Sequence, residues 1–410
     1  MQTPSDFTSM NPFAYRNVTV VLPDSLLENT TVVVRDGLIH EVLSSSDQDE
    51  KRFDPNCDVI DGGGNYLVPG FVDLHVHGGD GADVMDGTLA SVQAVCDAHA
   101  RRGTTSLFAT TTTGSRDEIT NAIEACRQYQ QAPTSAHLEG VHLYGPYFAP
   151  DKVGCHSKAG RREPIAEEFD RYFASDMIRI ATCAAEIESA TGFYEAARKA
   201  GCLITCGHSN ASWPEMQAAF DRGMRHVDHF WCAMSSVPSL RSRFGTPMQA
   251  SMAEFVLLNQ EMSTEVIADG HHLSAELLEF AYRMLGPKRL CLVSDANRAL
   301  GMPPGDYRFG NDQTGSRFES DGEVGWAPGR TSLASSIQAL DHMIRTMKAQ
   351  TSATLPDLIR MASLTPAERG GIASTVGSIE AGKRANLVLL DPDLKVLRVH
   401  VDAREIPLHH

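Results

Sequence analysis

The chain has 410 residues, enough for two or three domains or for one large barrel with an appendage. Apolar residues make up 42% and charged residues 21%, a globular balance that excludes a disordered chain. With 36 Lys and Arg against 52 Asp and Glu, the net charge of −16 speaks against a nucleic-acid or anionic-membrane partner and leaves room only for a local basic pocket.

The first residues, MQTPSDFTSMNPF, have neither a basic start nor an apolar segment, so no secretory signal is expected. No apolar run approaches the roughly 18 residues of a membrane span. Nine cysteines, an odd number without a C-x-x-C pair, argue against a disulfide framework or a zinc ribbon and for a cytoplasmic protein. Short strands follow at NVTVVL (17–22), TTVVVRDGLIHEVL (30–43) and CDVIDGGGNYLVPG (57–70), with Asp36-Gly37 as a hairpin turn and Gly62-Gly63-Gly64 as a second turn.

Beyond residue 70, short apolar strands alternate with helical patterns. The strands are 71–77, 104–112, 140–145, 178–186, 202–209, 226–231, 263–269 and 289–295. Helices are expected at 88–103, 212–223 and 333–347, the last from Leu333, Ile337, Leu340, Ile344 and Met347 at helical spacing. Eight such repeats predict an α/β fold, a (β/α)8 barrel over 67–366. The end of the chain, 377–401, returns to strand character, so 1–66 and 367–410 are expected to form one small β-sandwich domain.

The 16 histidines are the unusual entry in the composition. His409 and His410 end the chain and are set aside. In a barrel, chemistry lies where strands end. Strand one ends in His75-Val76-His77, and alternation points both imidazoles to one face. Strand five ends in His208, strand six carries Asp228-His229, and strand eight ends in Asp295. Imidazoles with a carboxylate suit Zn²⁺, Fe²⁺, Ni²⁺ or Co²⁺. Such an ion brings the pKa of its water toward neutrality, and Asp295 could take that proton and deliver it to a leaving group. His99 and His342 fall within helices, and His40 and His400 within the outer β region, where packing explains them. Thr110 to Thr113 end strand two beside the expected pocket, and no phosphate-binding or dinucleotide loop is present.

The motifs PGFVDLHVHG, CGHSNASWPEMQAAFDRGMRHVDHFWCAM, IADGHHLS, LVSDANRALGMPPGDY and GSIEAGKRANLVLLD occur in an order that resembles the amidohydrolase superfamily. Within it the chain is similar to the N-acetylglucosamine-6-phosphate deacetylases, over nearly its whole length. The resemblance implies a metal-dependent hydrolase of C–N bonds acting on an N-acetylated amino sugar phosphate, as a homodimer. It implies Asp295 as catalytic acid and base, His208 and His229 as metal ligands, and His156 and His272 as sugar contacts. Cys232-Ala233 would border the phosphate, with Cys232 where the family has Asn. A substrate-binding Arg donated across the dimer would be Arg241 or Arg243.

One departure alters the expectation. The family carries His-Leu-Glu-Gly-Pro on strand three, its Glu being a metal ligand, whereas here the segment is His142-Leu143-Tyr144-Gly145-Pro146. Tyr144 faces the pocket as a neutral phenol. Glu139 lies on the opposite strand face and roughly 16 Å away, and His142 lies one pleat deeper. Without the carboxylate, one ion is expected, zinc first, on His75, His77, His208 and Asp295, with His229 polarising water or the tetrahedral intermediate. That set also resembles the single-metal deaminases, so a deaminase or cyclic amidase is the alternative. A barrel that only binds a ligand is the third reading.

Overall fold

The computed structural model describes residues 12–44 and 57–408. His409, His410 and most of the segment read as lacking a secretory signal lie outside the described residues.

Eight parallel strands form the barrel: Phe71–Val76, Thr104–Thr110, His137–Leu143, Ile178–Thr182, Leu203–Cys206, His226–Val227, Ser263–Val266 and Leu290–Leu292. Each falls at an expected strand, with shorter limits at the C-terminal ends. The first two are buried along their full length, as parallel strands covered by helices must be. The helix Leu89–Ala100 starts at Thr88, and Trp213–Asp221 starts at Ser212. In the second, Glu215 reaches back to the Ser212 N–H and Pro214 lies in the first turn, which is why the chain becomes helical there.

Strand eight meets strand one only at the rim. The Asp295 N–H donates to the His75 carbonyl at 2.9 Å, and His77 and Gly78 donate to the Ala296 carbonyl at 3.0 and 2.8 Å. Below that point the Asp73 carboxylate accepts the Ser294 N–H at 3.2 Å, a side chain standing in for a ladder bond. The barrel is therefore closed by the segments that carry His75, His77 and Asp295.

Both chain ends share one eight-stranded sheet, in which Tyr66–Pro69 lies between Leu387–Leu390 and Phe13–Val21. Asp36 and Gly37 both have positive φ (50° and 75°), the two-residue turn their dipeptide predicts. Gly63 and Gly64 do likewise in the second turn. His400 is buried here, stacked on Phe13 at 4.8 Å and paired with the Tyr15 hydroxyl at 3.0 Å.

Two features depart from the expected elements. The helix predicted over 333–347 begins only at Leu340 and runs to Gln350. Residues 333–339 are not helical: Leu333 bridges Trp326 and Ser336 bridges Ala296, so sheet-like pairing claims the start of the periodic stretch. An antiparallel three-stranded insertion, Gly305–Phe309, Ser316–Ser320 and Gly325–Trp326, follows strand eight and covers one side of the rim. No helix among the described residues is long and apolar enough to cross a membrane.

Candidate active site

A cavity of about 360 Å³ opens at the C-terminal ends of the barrel strands. Tyr144, His156, His208, His229, His272 and Asp295 line it, with Cys232 and Ala233 on the same wall. His75 and His77 lie beneath, 0% and 1% exposed.

The imidazoles obey one rule. His75 gives Nδ1 to Glu265 Oε1 at 2.6 Å, and His77 gives Nδ1 to the Thr110 carbonyl at 3.2 Å. His208 Nδ1 bonds the Lys152 carbonyl, and His229 Nδ1 the Cys232 carbonyl at 3.1 Å. Carbonyls accept only, so these bonds put the proton on Nδ1 of His77, His208 and His229 and leave Nε2 with its lone pair. Nε2 of His75 and of His77 lie 3.6 and 3.2 Å from the same Asp295 oxygen. These three side chains form a compact donor group, their ligand atoms within 4.8 Å of one another. His208 and His229 stand beside it, their ring centroids 5.1 Å apart, with His229 5.5 Å from His75.

The strand ends are bent to achieve this. His208, His229 and Asp295 all have positive φ (47°, 21° and 45°), a region that costs non-glycine residues about 1–3 kcal/mol each. Gly207 precedes His208 because a Cβ there would lie 2.3 Å from Asp228 Oδ2.

Burial lowers His77 and His229, and pushes His208 and His156 well below the ordinary imidazole value. His75 behaves differently: burial opposes its charge, but Glu265 and Asp295 outweigh it and hold it up at about 9. Burial would raise Asp295, yet His75 and His77 keep its carboxyl well below the usual range. Burial first, then Asp228 and Asp295, pushes the Tyr144 phenol well above its ordinary value.

Tyr144 stands among these groups. Its hydroxyl bonds His229 Nε2, and its ring lies 4.4 Å from His75 and 5.4 Å from His208. Glu139 is elsewhere, accepting from the Ser106 hydroxyl at 2.9 Å. His142 spends both nitrogens, on the Leu74 carbonyl and the Thr182 hydroxyl, and offers none to the cavity. His272 is tied to Asp269 at 2.8 Å, and His156 keeps a buried Nδ1 without a partner. Arg243 pairs with Glu215 and Arg241 is exposed, so neither lines the cavity of its own chain. Thr110 and Thr111 hold the rim by hydrogen bonds to Val76 and Tyr144 and are absent from the cavity lining.

Three contributors were not foreseen. Phe148 stacks on His208 at 4.2 Å, Phe309 of the insertion packs 4.9 Å from His77, and Glu265 binds His75. An acid in the interior of the buried strand Ser263–Val266 was the available signal for Glu265. For the two aromatics no sequence signal distinguishes pocket from core.

Residues 66–406 match the amidohydrolase family. The chain is 32% identical to an N-acetylgalactosamine-6-phosphate deacetylase of Escherichia coli O157:H7, over 82% of this chain and 87% of that protein. It is 28% identical to the N-acetylglucosamine-6-phosphate deacetylase of Bacillus subtilis (strain 168), over 93% and 94%. The crystal structure of N-acetylglucosamine-6-phosphate deacetylase from Pasteurella multocida superposes with a TM-score of 0.87 at 24% identity, covering 96% of this chain and 99% of that one, which shows the shared fold.

Proposed function

Because the chain belongs to the amidohydrolase family, we propose that it deacetylates an N-acetylated hexosamine phosphate, N-acetylglucosamine 6-phosphate being the first candidate. The convergence of His75 and His77 on one Asp295 oxygen beneath a sugar-sized cavity carries this reading. The named relatives support the substrate class, and they differ in the epimer.

The donor set fits a divalent ion. His75 Nε2 is fully buried and has no hydrogen-bond partner, a costly state for a nitrogen with nothing to bind. We assign one ion, zinc first, to His75, His77, His208 and Asp295, with His229 beside them. Tyr144 supports a single ion, because its phenol stays neutral and adds no charge to hold a second. When bound, the ion supplies Lewis acidity and lowers the pKa of a water.

The chain's own residues do the rest. Asp295, held ionised, accepts a proton from the attacking water and returns it to the amine nitrogen as the C–N bond breaks. The Tyr144–His229 pair lines the cavity and orients the acyl group. His156 and His272 contact the sugar, and Cys232 and Ala233 border the phosphate end. The working form is a cytoplasmic homodimer. None of the nine cysteines is in a disulfide, and the helix Ala275–Leu285 exposes Leu277, Phe280 and Met284 at helical spacing. Arg241 or Arg243 would then reach the partner's cavity.

Zinc-reconstituted protein assayed against N-acetylated hexosamine phosphates should release acetate, with Asp295→Asn as control. Ammonia or a ring-opened acid instead would replace this reading with the deaminase or cyclic amidase.

A further inference from the structure

Strand seven places a carboxylate where the barrel interior should be apolar. Glu265 is 1% exposed, and neither a lysine nor an arginine is among its hydrogen-bond or ion-pair partners. A buried carboxylate in that state costs several kcal/mol unless hydrogen bonds satisfy it. Glu265 is satisfied from strand six beside it and from strand one, which lies beyond strand eight. Its Oε1 accepts from His75 Nδ1 at 2.6 Å and from the His229 backbone N–H at 3.2 Å. Its Oε2 meets His226 Nε2 at 3.4 Å, and that imidazole is fixed from its other side by the Ser263 hydroxyl at 2.8 Å. The Glu265 carbonyl also accepts the Phe230 N–H at 2.8 Å. One residue therefore grips the first-strand histidine and both ends of strand six.

A carboxylate kept only for packing would be paired with an imidazole spent on both sides, as His142 is. His75 is not spent: its Nε2 is buried, unpartnered and turned toward Asp295. We propose that Glu265 is a positioning residue, which holds the His75 proton on Nδ1, presents Nε2 as a lone pair to the metal, and sets His229 beside it by the same oxygen. The proposal rests on the metal reading above, and goes beyond it by assigning the strength of the site to a residue that touches neither ion nor substrate. A histidine ligand whose second nitrogen is held by a carboxylate is fixed in rotation and made more basic, and loss of the holder costs about 10–100-fold in metal affinity.

The test uses the full-length protein, wild type and with Glu265→Gln and Glu265→Ala. The Gln variant keeps size and hydrogen bonding, so it stays informative if the Ala variant fails to fold. Zn²⁺ dissociation constants from chelator competition should rise about 10–100-fold in Ala and less in Gln, with unfolding midpoints recorded beside them. Nitrogen-15 spectra of the metal-free protein, recorded at a pH where the His75 signals are those of a neutral ring, should show its proton on Nδ1 in wild type and shared between both nitrogens in Ala. Unchanged zinc affinity in a folded variant overturns the proposal, as does an unchanged His75 tautomer in folded Glu265→Ala. Failure of the wild type to bind Zn²⁺ overturns the metal reading instead, and the tautomer still reports on Glu265.

Discussion

The barrel interior holds two layers of histidine that differ by one hydrogen bond each. In the deeper layer, His142 and His226 spend both ring nitrogens, on Leu74 and Thr182 and on Ser263 and Glu265. At the rim, His75, His77 and His208 spend only Nδ1 on the protein and keep Nε2 for the site. His229 is the exception: its Nε2 is taken by Tyr144. Burial alone cannot separate the layers, since all six residues are buried. What separates them is unspent hydrogen-bonding capacity on the nitrogen that faces the site.

The rim should break first at Asp295. Asp295→Asn keeps shape and removes the charge on which His75 and His77 converge. Acetate release should fall by about 10³-fold or more with the unfolding midpoint little changed. Activity within tenfold of wild type would remove Asp295 from the proton-transfer role.

Tyr144 offers a sharper break, because it puts a phenol where a carboxylate would complete a larger site. Tyr144→Glu should raise bound zinc from one ion to two per chain, counted by elemental analysis. Tyr144→Phe should leave one ion and lower kcat by about tenfold, the worth of one hydrogen bond to His229. One ion in both variants would mean that the strand-three position does not set the metal count.

The rim should also respond to pH. His75 is held up at about 9 from an ordinary 6.5, so at pH 7 the metal-free protein carries a proton that zinc must displace. Apparent zinc affinity should therefore rise by roughly tenfold per unit from pH 7 to 9. The stability that this raised pKa lends the metal-free fold is complete below about 6.5 and is lost as pH rises through about 9. Chelator competition and thermal melts at pH 7 and 9 should thus move in opposite directions. A flat zinc affinity would show His75 already neutral at pH 7.

Much of this was legible in the chain because strands and their ends have local signatures. The alternation in His75-Val76-His77 and the polar residues closing strands five, six and eight mark the rim without any knowledge of the fold. Periodicity misled at Leu333 and Ile337, where i, i+4 spacing suggested a helix and pairing with Trp326 and Ala296 prevailed. Glu265 and Phe309 were not legible, because each acquires its role from a partner nearly 200 residues or more away in sequence. A carboxylate in an apolar strand signals that something must satisfy it, and it does not say what.

The deeper layer supplies the smallest effect and the control for all the others. His142→Ala should leave the Leu74 carbonyl buried without a donor while Thr182 keeps its bond to Asp228 at 2.9 Å. An unmet buried acceptor costs about 1–3 kcal/mol, to be read from denaturant unfolding. Zinc affinity should fall by no more than about fivefold: the His142 ring packs 5.0 Å from His75, close enough to couple, but neither of its nitrogens is offered to the site. A large fall in zinc affinity with unfolding unchanged would place His142 among the ligands, and the two layers would then be one.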